Sequence, residues 1–396
     1  MVAGPAGATQ TDPWVPASDD VVLQHVPPGS DPRVRTFETL RAQLRRNPRN
    51  MKAALDLAHA YIDYGRSTGD ARFIGRALAV IEPWLKQRTI PVPVALLDAT
   101  IKQNRHQFKD ARTQLQHIVQ REPGNAQAWL TLATVAMVQG DLKTANHACI
   151  QLASSGGNFM GTACTAALRA LSGHNTQAMA LLRLIEDPGP RAPADIKSWV
   201  QGLMADVAVR MGDADLAEKH FRQALQWTPD DNFLLADYAD FLLAHNRPGD
   251  AARLVRPYVE SDTSFMRLVM AEKAEGLATA SSDAQAMQAR FAAMDARGSH
   301  VYSREQAAFV LQVLGQPEQA LALARQNWQV QRAPKDVLVF LQAALAAGKP
   351  EAAQPALQFI ARTGLDDARL TPLVTALEQK MDMAAQLRSG ARGDAP

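Results

Sequence analysis

Nine alanines recur along the 396-residue chain at nearly constant spacing: Ala77, Ala111, Ala145, Ala178, Ala217, Ala251, Ala286, Ala320 and Ala353. Seven of the eight intervals are 33 to 35 residues and one is 39. A fixed period of this length belongs to an array of stacked units, each too small to cover its own apolar face. It excludes one central core. Residues that favour strands are scattered without a period-2 run, so the expected class is all-α.

The unit is clearest from Ser198 to Thr228. Met204, Ala205 and Ala208 form an apolar stripe at helical spacing, and Gly212-Asp213 ends that helix because glycine tolerates the left-handed conformation. A second helix starts at Asp215, with Ala217, Phe221 and Ala224 on its inner face. Pro229 stops it, and Asp230-Asp231-Asn232 can cap the next one. A small Ala217 lets two helices approach closely. The turns at Gly140-Asp141, Gly173-His174-Asn175, Asn246 to Asp250, Gly315-Gln316-Pro317 and Gly348-Lys349-Pro350 repeat this grammar. Proline just after glycine reads as helix stop followed by first-turn proline.

One unit reads Trp129, two residues, Leu132-Ala133, two residues, Ala136, then Ala145 and Cys149. This resembles the tetratricopeptide-repeat family, whose pattern is W-x2-L-G-x2-Y, then A-x3-F, then P over 34 residues. The likeness covers roughly Asn50 to Leu365 and is to degenerate, bacterial members. An alanine stands where the first-helix glycine is usual, and most units lack the closing proline. The resemblance implies a right-handed superhelical solenoid of about nine hairpins over residues 33–365. A capping helix is expected at 366–388, an extended arm at 1–32 and a disordered tail at 389–396. Two departures from the period stand out. About seven extra residues near Tyr61–Asp70 are expected in the first hairpin's turn, and Asp187–Pro193 is expected to form a long loop between units.

In that family the first helix of each unit lines the concave surface. Carried over unit by unit, the inner wall holds His59, Asp63, Gln103, Asn104, Thr134, Met137, Asp206, Arg210, Phe233, Asp240, Tyr302, Glu305 and Phe309. Polar groups suit a peptide backbone, and Met137, Phe233, Tyr302 and Phe309 suit its apolar side chains. For Phe233 and Phe309, inter-helix packing explains the residue equally well. Leu55, His59 and Leu96 stand where some members clamp a terminal carboxylate, so that clamp is absent. The implied function is a non-enzymatic scaffold binding a protein or peptide in its groove. The alternative is an accessory or regulatory subunit held within an enzyme or membrane-protein assembly.

Charge is unevenly spread. Arg33 to Glu122 holds 17 Lys/Arg against 8 Asp/Glu, while Ser198 to Ala296 holds 9 against 15. Solvated outer faces explain this, and so does steering of an oppositely charged partner. Aromatic content of 6% is too sparse for a base-stacking platform, so no nucleic-acid partner is expected. No apolar stretch is long enough to span a bilayer, and the first basic residue, Arg33, comes too late for a signal peptide's charged start.

Cys149 and Cys164 lie equidistant from an expected turn at Ser154–Asn158, so an antiparallel hairpin brings them together. Two readings stand: a disulfide, implying a periplasmic or secreted protein, or two buried thiols in a cytoplasmic one. The set His147, Cys149, Cys164 and His174 matches no zinc spacing, and no metal or cofactor is assigned. Phosphate loops, GxSxG elbows and HExxH are all missing from the sequence, so no catalytic residue is named. Asp206, Asp237 and Asp240 read as a groove wall rather than as acid–base groups.

Overall fold

The structure, a computed structural model, describes residues 32–296 and 302–393. The expected arm, apart from Pro32, and residues 394–396 of the expected tail lie outside the described residues. The elements in chain order are α1 Pro32–Arg46, α2 Met51–Thr68, α3 Arg72–Leu85, α4 Val92–Asn104, α5 Phe108–Arg121, α6 Ala126–Val138 and α7 Leu142–Ser154. Then come α8 Asn158–Leu171, α9 Asn175–Arg183, α10 Ala194–Met211, α11 Ala214–Trp227, α12 Asn232–Ala244, α13 Pro248–Val255 and α14 Asp262–Glu275. The chain ends with α15 Ala280–Ala296, α16 Ser303–Gln312, α17 Pro317–Trp328, α18 Pro334–Ala346, α19 Gln354–Thr363 and α20 Thr371–Gly393. No strand occurs among the described residues. Nine hairpins follow one another from α2–α3 to α18–α19, making an all-α solenoid, and α20 packs against α18.

Local chemistry explains the hairpins. Gly212 ends α10 in the left-handed region (φ 74°), Asp213 caps α11 by accepting from the Leu216 amide, and Asp231 caps α12 through the Phe233 and Leu234 amides. Eight of the nine phase-marking alanines have no measurable exposure. Ala286 departs from them: it faces solvent, while Ala284, Met287, Phe291 and Met294 carry the buried face of α15. Bulky methionines and phenylalanine replace the small contact there, so the alanine phase slips.

The extra residues near Tyr61–Asp70 also fold differently from expectation. They lengthen α2 to 18 residues instead of enlarging its turn. Likewise α10 starts at Ala194 and runs 18 residues, against 13 for α4, α6 and α12. The segment between α9 and α10 is the expected long loop. The final helix begins at Thr371 and extends to Gly393, later at both ends than 366–388.

The solenoid closes on itself. The C-terminal ends of α2, α4, α6, α8 and α10 form a rim, and the chain from α12 onward lies along that rim in the same order. Asn232 Nδ2 donates to the Ser67 carbonyl, and Gln331 Nε2 meets His106 Nδ1 at 3.1 Å. The Arg332 amide donates to Val138 O (2.8 Å), Asn175 Nδ2 to Asp366 O (2.9 Å), and the Ala368 amide to Arg210 O (2.9 Å). The first coil of the superhelix, α2 to α11, therefore carries the second, α12 to α20, on its edge. Gly173 shows how tight this contact is: at φ 77° an added Cβ would stand 2.0 Å from Gly364 O. Only glycine fits there.

Candidate functional site

From α10 onward the first helices of the hairpins carry charged side chains that are largely paired. Arg210 on α10 donates to Asp206 one turn earlier. Arg267 on α14, whose side chain is only 6% exposed, grips Asp240 on α12 with Nε and Nη2 at 2.9 and 3.0 Å. Lys335 on α18 reaches across to Asp237 and, at 3.4 Å, to Asp240. Arg304 pairs with Glu305 on α16 and lies 3.6 Å from Asp336 on α18. Arg369 donates to Asp367, just before α20.

These pairings set the protonation of the wall. Burial pushes the Asp240 carboxyl up, but Arg267 and Lys335 outweigh it and hold it down at about 2. Asp206 is held below its ordinary value in the same way by Arg210, Arg369 and Lys335 against its burial, and Glu305 by Arg304 and Arg267. Asp336 goes the other way, because burial raises it more than Arg304 and the Asn327 hydrogen bond lower it. The arrangement is a mutually neutralised ionic network. Buried pairs of this kind hold a geometry firmly, since removing one partner strands the other.

The thirteen wall residues fall into three groups. Asp206, Arg210, Asp240 and Glu305 belong to the network: Asp206 and Arg210 pair with each other on α10, while Asp240 and Glu305 pair with Arg267 and Arg304 of the second coil. Phe309 has no exposure and packs edge-to-face on Phe291 at 5.6 Å, so the packing explanation holds for it. Tyr302 is half-buried, and burial with Asp262, Glu305 and Asp70 nearby pushes its hydroxyl up to about 12. Phe233 is 59% exposed at the start of α12, with the Arg66 guanidinium 5.7 Å from its ring centroid. His59 and Asp63 are exposed on α2, while Gln103, Asn104, Thr134 and Met137 are half-buried on α4 and α6.

Arg267, Arg304, Lys335, Asp367 and Arg369 also belong to this network, although the repeat pattern does not mark them. A signal did exist for Arg267: it sits on the stripe Ser264, Leu268, Ala271, where a charge must find a buried partner. The uneven charge also has an internal use. Arg33 on α1, in the basic stretch, lies 3.6 Å from Asp230 in the acidic stretch.

Residues 96–148 and 203–264 match the family described as tetratricopeptide repeat. These two segments carry tetratricopeptide repeats. The matched segments coincide with the hairpins from α4 to α7 and from α10 to α14. Similar solved structures include the APC/C hetero-tetramer Cut9–Hcn1, at 11% identity over 87% of this chain and TM-score 0.45. The human IFIT1 dimer with m7Gppp-AAAA shows 12% identity over 89% of this chain and 86% of its own, TM-score 0.46. A Rap protein complexed with competence and sporulation factor shows 12% identity over 75% of this chain and 94% of its own, TM-score 0.48. This chain spans 58% of the length of the Cut9–Hcn1 chain it matches. No curated protein matches the sequence.

A tetratricopeptide-repeat solenoid is in general a protein-interaction scaffold and typically not an enzyme. No helix among the described residues is long and apolar enough to cross a membrane. Cys149 on α7 and Cys164 on α8 are joined, with Cα atoms 5.5 Å apart.

Proposed function

We propose that this protein is a non-enzymatic scaffold that holds a partner peptide or helix on the open part of its inner wall. His59 and Asp63 on α2, Gln103 and Asn104 on α4, and Thr134 on α6 form that face. The observation that carries the reading is a contrast in pairing: these side chains are in no ion pair among the described residues, while Asp206, Arg210, Asp240 and Glu305 are all held in ion pairs. Successive first helices set such groups side by side, the spacing an extended segment needs.

Affinity capture from the native source tests this. Joint replacement of His59, Asp63 and Asn104 by alanine is expected to lose the partner. Lys109→Ala with His117→Ala, on the exposed face of α5, is expected to keep it. Equal recovery by both variants would overturn the inner-wall reading.

A second reading, an accessory subunit in a larger assembly, is favoured by exposed apolar side chains away from the wall. Leu184 is 78% exposed and Trp227 46%. Loss of the partner on Leu184→Ala with Trp227→Ala, but not on the inner-wall change, selects this reading. The disulfide supports action in an oxidising compartment, periplasmic or extracellular. Two free thiols on titration of the native protein, denatured without reductant, would remove that support.

A further inference from the structure

A cavity of about 190 Å³ lies between the two coils, where Ala333 and Pro334 at the start of α18 cover α6, α8 and α10. Met137, Ala170, Leu203 and Val207 make its walls apolar, and Arg210 with Asp206 forms its charged end. The Arg210 side chain is 8% exposed. One guanidinium nitrogen, Nη2, is used by Asp206. The other two, Nε and Nη1, are buried and have no hydrogen-bond partner among the described residues.

Buried guanidinium donors without an acceptor are costly, so this end of the cavity favours a ligand that brings one. Because the unpartnered donor is a guanidinium, a carboxylate makes the stronger, charge-assisted acceptor. The rest of the cavity offers only hydrocarbon. An apolar cavity of about 150 Å³ admits benzene, so this one takes on the order of six to nine non-hydrogen atoms.

We propose that the cavity binds a small monocarboxylate with a compact apolar body, its carboxylate accepting from Arg210 and its body lying against Ala170, Leu203 and Val207. The covering Ala333 and Pro334 belong to the second coil and the other walls to the first, so an occupant bridges them. Binding therefore holds the coils together and raises the stability of the closed form. This site is separate from the open wall at His59 and Asp63.

The test is titration calorimetry of the full chain with benzoate. One saturable site per chain is expected, with benzamide bound at least tenfold more weakly and a higher thermal midpoint with benzoate present. Arg210→Gln should weaken benzoate at least tenfold. Because that change also strands Asp206, Ala167→Met provides the second variant. It fills the cavity with the ion pair intact and should abolish binding while circular dichroism stays that of the parent. His59→Ala with Asp63→Ala should bind benzoate as the parent does, so failure of the scaffold reading and failure of this one are distinguishable. Absence of saturable binding, equal affinity for benzamide, or parent-like binding by Ala167→Met would overturn the proposal. Tighter binding of a hexapeptide ending in phenylalanine than of benzoate would overturn the assignment to a free acid.

Discussion

Within a hairpin, as between α10 and α11, Met204, Ala205 and Ala208 meet Ala217, Phe221 and Ala224, none more than 3% exposed. Between the two coils, Asn232 meets the Ser67 carbonyl, Gln331 meets His106, and backbone amides meet carbonyls at the rim. The first seam is apolar, repeats every hairpin and joins residues close in sequence. The second is polar, does not repeat and joins residues far apart. Apolar packing tolerates many sequences of suitable size, whereas a buried hydrogen bond tolerates few, since losing one partner leaves the other unsatisfied. A degenerate repeat can thus keep its hairpins while its closure depends on a few particular side chains.

The largest effect is expected inside the second coil, at Arg267. Asp240→Ala leaves that guanidinium buried without its bidentate partner, and a loss of about 3–5 kcal/mol is expected in urea unfolding. A loss under about 1 kcal/mol would mean that the hairpins of α12 and α14 are not held by this pair. Next comes the rim glycine pair. Gly315→Ala, at φ 66° with open space around it, should cost only the left-handed conformation, about 1–2 kcal/mol. Gly173→Ala carries that cost plus overpacking against Gly364, about 1–3 kcal/mol more. Equal midpoints for the two variants would place Gly173 away from the second coil.

On the hairpin side, Ala217→Leu should cost about 1–3 kcal/mol by overpacking, and Ala286→Leu less than about 0.5 kcal/mol because it faces solvent. Equal thermal midpoints would undo the assigned phase. The smallest effect concerns pH. Burial at the rim lowers the His106 pKa from 6.5 to about 4, with Glu305 opposing and Arg304 assisting. An unfolded ring takes up a proton near pH 6.5 that the folded one refuses until about pH 4. Stability from this site is therefore full above that window and is lost as pH falls through it. His106→Asn, which accepts the positive φ of 55°, should flatten the dependence of the urea midpoint between those values. An unchanged slope would show that the ring is not sealed under Gln331. Asp206, Asp240 and Glu305, all held low, lose their contribution only at more acid pH.

Much of the hairpin architecture is written locally. Gly212, Asp213 and Asp231 announce helix ends because their backbone and side-chain chemistry acts within a few residues. The cysteine pairing was legible as one of two alternatives, because distance from a turn sets which residues face each other. Ala286 misled because α15 packs through Met287 and Phe291, and side-chain size overrides period. The wall was legible in position but not in availability. Asp206, Arg210, Asp240 and Glu305 do lie on first helices, yet nothing near them in sequence names Lys335 or Arg267 as their partners.

The sequence by itself determined the repeated hairpins, their stacking order and the helices that face inward, since each depends on contacts within one or two periods. Tertiary structure alone decided that the superhelix closes. Curvature accumulates from small rotations at every hairpin, and the lengthened α2 and α10 change that sum without marking where it ends. Contacts such as Ala368 to Arg210 and Asn232 to Ser67 exist only once the whole coil is wound. They join residues that no 34-residue pattern brings together.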